Sequence, residues 1–93
     1  MVKIIWSDLA IDDLKSIHDY ISKDSTRYAT EIIEKIIEKV RQLENFPKSG
    51  RMVPEFNNDL IRELIIDNYR IVYTVSEQFI SIARIHHCAR LIS

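Results

Sequence analysis

The chain has 93 residues, 46% of them hydrophobic, with 13 basic against 14 acidic side chains and a single cysteine. That length suits one domain spanning residues 1–93, and charges that nearly cancel disfavour a protein that coats nucleic acid by bulk attraction. One glycine and two prolines in so apolar a chain exclude a disordered or low-complexity segment. Cys88 has no partner for an internal disulfide, which points to a reducing compartment. The opening MVKIIW is too short for a signal-peptide core, and no apolar run approaches the roughly 18 residues of a membrane span. A soluble, cytoplasmic domain with no membrane partner is expected.

VKIIW (Val2 to Trp6) is short, branched and aromatic, and reads as a strand. Ser7 is a natural N-cap for a helix, with Asp8 in the first turn, where a helix favours negative charge. Ala10, Leu14, Ile17 and Ile21 then recur at spacings of four, three and four, one apolar stripe of that helix. SKDS interrupts it and offers a new cap in Asp24 or Ser25. In the second helix Ala29, Ile33, Ile36, Val40 and Leu43 form the stripe, widened by Ile32 and Ile37. Pro47 stops it, having no amide to continue the ladder. So short a connector makes the two helices an antiparallel hairpin.

PKSGRMVPEF is the loop-like stretch, with the sole glycine and both prolines. Beyond it the period changes. LIRELII, YRIVYTV and FISIARI are three β-rich runs, separated by the turn signals Asp67-Asn68 and Ser76-Glu77-Gln78. Gaps that short imply antiparallel neighbours. The expected fold is α+β, in the order β-α-α-β-β-β, with a helical hairpin packed on a small antiparallel sheet.

Alternation sorts the strand residues into faces. Tyr69, Ile71, Tyr73 and Val75 share one, and Arg70, Val72 and Thr74 the other; Glu63 falls with Ile61 and Ile65, and Arg62 with Leu64 and Ile66. One face must meet the helices, which leaves the other for a partner. From Asn68 onward Arg70, Arg84 and Arg90 outnumber Glu77, with His86 and His87 in support, whereas acidic residues prevail before Phe46. The chain is neutral overall but polarised along its length. Adjacent histidines on a strand point to opposite sides, so His86, His87 and Cys88 are not expected to hold a metal, and no cofactor motif is present.

The frames WSDLAIDDLKSIHDYI, FPKSGRMVPEF, IRELIIDNYRIVYTV and RIHHCAR, in this order, resemble the RelE/ParE family of bacterial toxins. Their most specific parts are the FPxxGRxVPEF loop, the REL…NYRIVY strand pair and the terminal HxxR of His87 and Arg90. The resemblance implies the toxin of a type II toxin–antitoxin (plasmid stabilisation) pair, partnered by an antitoxin whose flexible segment wraps it. It also implies one of two activities. ParE-like members bind and stall DNA gyrase, and Arg62, Arg70, Arg84, His87 and Arg90 would then contact the target. RelE-like members cleave mRNA on the ribosome without a metal, and Arg70, His87, Arg90 and Glu63 would then be catalytic. RelE-type lysines on the preceding strand correspond to Ile61 and Glu63. An acidic balance, with pI ≈ 6.3, and the ParE-like loop favour gyrase over the ribosome.

Overall fold

The structure, a computed structural model, describes residues 2–88. Strand β1 (Lys3–Trp6) leads into helix α1 (Asp8–Ser22), α2 (Thr26–Arg41) and a 3₁₀ turn over Gln42–Glu44. Then come β2 (Arg51–Met52), β3 (Ile61–Ile66), β4 (Tyr69–Val75) and β5 (Phe79–His87). This is the expected α+β order with one two-residue strand added. The sheet order is β1-β5-β4-β3-β2. The pairs β2/β3, β3/β4 and β4/β5 are antiparallel, but β1 lies parallel to β5, so the sheet is mixed.

The caps explain where the helices begin. The Ser7 side chain accepts the Ala10 amide at 3.0 Å, and the Ser25 side chain accepts that of Tyr28 at 3.1 Å. Between β3 and β4, Asp67 takes a left-handed φ of 49°, which aspartate tolerates better than most residues. The second helix winds down through the 3₁₀ turn before Pro47 is reached. Its buried stripe is Ala29, Ile32, Ile36, Val40 and Leu43. Ile32 is therefore central, Ile33 flanks it, and Ile37 is exposed.

α1 packs against β5 and α2 against β3. Together they bury Leu64, Ile71, Tyr73, Ile80, Ile82 and Ile85, with Leu14, Ile17, Trp6 and Ile66 at the margin. Of the two faces that the alternation defines, the Tyr69–Ile71–Tyr73 one lies on the helices. Ile36 is wholly buried at the centre. Ile36→Ala should cost about 2–5 kcal/mol, read from urea melts; a loss below about half a kcal/mol would place the core elsewhere.

Candidate functional site

Among the described residues, the face of the sheet away from the helices is covered by no helix. Two of its charged residues, Glu63 and Arg70, are nevertheless buried. Glu63 stands on β3 directly opposite Arg51 of β2 and opposite Val72 of β4, which makes Arg70 its diagonal neighbour. One Glu63 carboxylate oxygen accepts Arg70 Nε at 2.7 Å, and the other accepts Arg51 Nε at 2.5 Å. The Arg70 guanidinium also grips Glu55 with both terminal nitrogens, at 2.8 and 2.9 Å. Side-chain exposure grades across the set, from 0% for Glu63 and 7% for Arg70 to 22% for Glu55 and 63% for Arg51. The bonds to Glu55 do most to push the Arg70 pKa up, burial opposes them, and Glu63 adds to the rise, so the guanidinium stays ionised.

Local sequence builds this arrangement. The Phe56 amide donates to the Val53 carbonyl, closing a four-residue turn with Pro54 at its second position, where a fixed φ is favoured, and Glu55 at its third. Val53 is fully buried, and its amide donates to the Ile61 carbonyl, anchoring the turn. Gly50 lets the loop touch the sheet: a Cβ there would lie 2.5 Å from the Glu63 carbonyl oxygen and 2.6 Å from the Tyr73 hydroxyl. Its amide donates to that hydroxyl at 3.0 Å. Burial raises the Tyr73 pKa, against the Gly50 bond and the nearby charge of Arg62. Arg62 donates to the Gly50 carbonyl at 2.9 Å and to Asp59 at 2.6 Å, so it fastens the other end of the loop.

The sequence candidates therefore separate. Glu63 and Arg70 meet. His87 does not join them: it pairs with Tyr69 across β4 and β5, on the opposite face, and its ring lies edge-on to Tyr69 with centroids 5.7 Å apart. His86 is the strand partner of Arg70. Arg84 is held bidentately by Asp13 of α1, at 2.9 and 3.1 Å. Arg90 lies outside the described residues. Sequence reasoning misses Arg51 and Glu55 as members of the site, although the FPxxGRxVPEF frame contains both, and it misses Asp13 altogether.

Asp13 also closes a gap in the sheet. A bulge in β5 leaves Ala83 without a partner in β4. The Ser7 hydroxyl donates to the Ala83 carbonyl at 2.8 Å, and Asp13 accepts the Ile85 amide at 2.8 Å beyond the reach of β1, which pairs with residues 79–82 of β5. Burial pushes the Asp13 carboxyl up, but the Arg84 guanidinium and the Ile85 amide outweigh it and hold the pKa below the ordinary 3.8.

A family model described as the ParE toxin of a type II toxin–antitoxin system, parDE, matches residues 4–92. The chain belongs to the ParE toxin family. It is 30% identical over 91 residues to a protein of Caulobacter vibrioides named Toxin RelE2, with 98% of this chain and 100% of that one covered. Among solved structures, the chromosomal ParDE TA system from P. aeruginosa superposes with a TM-score of 0.77 at 24% identity, covering 94% and 96% of the two chains. The YoeB dimer from Staphylococcus aureus gives 0.61 at 22%, covering 89% and 92%. At those identities the shared property is the fold. Family membership makes this chain a type II toxin of the RelE/ParE class, with a cognate antitoxin as partner. Among the described residues, no helix of the toxin is long and apolar enough to cross a membrane.

Two outcomes are expected. Glu63→Ala strands Arg70 and Arg51 around an empty buried position, and should cost about 3–5 kcal/mol in denaturant melts. Asp13 contributes stability that is fully present above its ordinary 3.8 and is lost as pH falls through the lower folded value. Asp13→Asn should therefore be less stable than wild type at neutral pH, and the difference should shrink by about pH 3. A difference that stays constant across that range would remove the ion pair from the account.

Proposed function

We propose that this toxin acts by binding a protein target, DNA gyrase, rather than by cutting RNA. The observation that supports this reading is the state of Arg70. Metal-free cleavage by 2′-hydroxyl attack needs a cation facing the scissile phosphate, a base at the nucleophile and a donor for the leaving oxygen. The cation matched from RelE-like members is Arg70, which is 7% exposed and already held by two carboxylates. Glu63, the matched base, is fully buried between two guanidinium groups. His87, the matched late histidine, stands on the other face of the sheet. Three groups that must converge on one phosphate are thus separated or engaged.

The surface has a different character. Leu9, Tyr20, Tyr28 and Phe46 are each more than half exposed. Large apolar and aromatic side chains of this kind anchor protein interfaces, where tyrosine is enriched among the residues that dominate binding. In this reading the antitoxin and the gyrase are both protein partners, and Arg62, Arg70 and Arg84 hold internal ion pairs instead of reaching out to phosphate. The competing reading is ribosome-dependent mRNA cleavage, favoured by the full-length relative named Toxin RelE2.

The test sets purified toxin against both targets. Gyrase supercoiling should be inhibited, and mRNA on programmed ribosomes should remain intact by primer extension. A cut in the ribosomal A site made by wild type and reduced about 10²–10³-fold by Arg70→Ala, the usual effect of losing one preorganised donor, would overturn the proposal.

A further inference from the structure

β1 is an edge of the sheet, with β5 on one side and, among the described residues, no strand on the other. In a strand the amide and carbonyl of one residue point to the same side, and those of the next residue to the opposite side. The Lys3 amide donates to the Gln78 carbonyl and the Ser7 amide to the Ile82 carbonyl, so odd positions face β5. Even positions face outward. On that outer side the Val2 amide donates to the Glu44 carbonyl at 3.1 Å. The outward amides and carbonyls of Ile4 and Trp6 have no backbone partner among the described residues.

Natural sheets blunt such an edge with a proline, a bulge, a charge or a cover. This chain does so nearby: Asp13 caps β5 at Ile85, beyond the end of β1, and Glu44 covers Val2. The stretch Ile4–Trp6 has neither proline nor bulge, and its exposed side chain is apolar, Ile5 at 41%.

Two open residues separated by one residue complement each other when a second copy runs antiparallel. Placing Ile5 against Ile5 of that copy sets Ile4 opposite Trp6 and Trp6 opposite Ile4. Each facing pair then exchanges both its hydrogen bonds, and every open group of the two strands is satisfied. Ile4 and Trp6 pack toward the core, so the two Ile5 side chains meet on the other face, as the close, non-hydrogen-bonded pair. Other registers waste the edge. A shift one way brings in Val2, whose amide Glu44 already holds; a shift the other way brings in Asp8, where α1 begins. Charge agrees with the central register, since Lys3 of one copy falls opposite Ser7 of the other, one residue from Asp8.

We propose that β1 is a self-pairing edge, through which two copies of this chain join antiparallel about Ile5 into one continuous sheet. The contact uses the same surface on both copies, as two-fold symmetry requires. It is short, a few ladder bonds and one aliphatic pair, which puts it among transient associations. It also lies at the opposite edge of the sheet from β2 and its ion network, so pairing and the Arg70 cluster are separable.

The experiment sediments the purified full chain and follows its amide hydrogen exchange between about 10 μM and 1 mM, a span that brackets weak association. Wild type should pass from monomer to dimer, and the Ile4 and Trp6 amides should become protected as it does. The amides of Ile5 and Ser7, which face β5, should exchange slowly throughout. Ile5→Lys and Ile5→Glu change a partly exposed side chain outside the core. Each should weaken dimerisation about tenfold, because like charges directly opposite replace an aliphatic pair. An equimolar mixture of the two should restore it, since unlike charges then meet across the axis; a merely destabilised fold would not recover on mixing. A wild type that stays monomeric at the top of the range overturns the proposal. So does a dimer that both variants leave intact, or one whose Ile4 and Trp6 amides exchange as fast as in the monomer. Protection of those amides only when antitoxin is added would assign the edge to that partner and overturn it as well.

Discussion

A buried guanidinium must have its charge met on the spot, and the way Arg70 meets it organises one whole side of this toxin. Desolvating an ion costs several kcal/mol, recovered only when geometry is good and the remaining donors are satisfied. Glu63 supplies one partner from the neighbouring strand. The second, Glu55, has to be brought by the loop between β2 and β3. Residues 50–54, which run through β2 into that loop, serve this delivery. Gly50 permits the close approach to the sheet, Arg51 takes the far oxygen of Glu63, buried Val53 pins the turn, and Pro54 sets its curvature. The loop and strand-pair motifs that look separate in the sequence are the two halves of one ion network.

Such a network is weak as a source of net stability, since apolar groups of similar volume often hold a fold as well or better. Its use here is positional. A loop of apolar residues could slide over the sheet, whereas a bidentate fork accepts its partner in one orientation. The network therefore fixes where the loop lies over a face that, among the described residues, has no helix to cover it. Arg62 does the same at the loop's other end through the Gly50 carbonyl and Asp59.

How much a sequence discloses depends on the range of the interactions. Helix caps, the apolar stripes and the two faces of each strand depend on neighbours within a few positions, and Ser7, Ser25 and the Ile71–Tyr73 face all stand where period and cap chemistry put them. The shift of the second stripe from Ile33 to Ile32 reflects packing, because the helix rotates to fit the sheet and both residues satisfy the period. The parallel pairing of β1 with β5 joins the two ends of the chain and has no local signal. Strand β2 is two residues long and below the reach of any alternation. The pairs Glu55–Arg70 and Asp13–Arg84 are 15 and 71 positions apart, so the residues are visible in the sequence while their meeting is not.

That separation changes how the charge pattern should be read. Along the chain, acidic residues gather early and arginines late, which taken alone suggests a basic working face. Folding pairs these arginines with carboxylates, one from the acidic first half and the rest from nearby in the chain. Arg84 is taken by Asp13 from the first helix, Arg70 by Glu55 and Glu63, and Arg62 by Asp59. Among the described residues, the arginines that stand out as contacts to an outside anion thus hold internal ones. A surface for phosphate needs cations whose charge is not already matched, because association gains from releasing counterions and an arginine paired within the protein holds few to release. For a partner made of protein the requirement differs. Exposed tyrosine, leucine and phenylalanine supply contact area without drawing on those arginines.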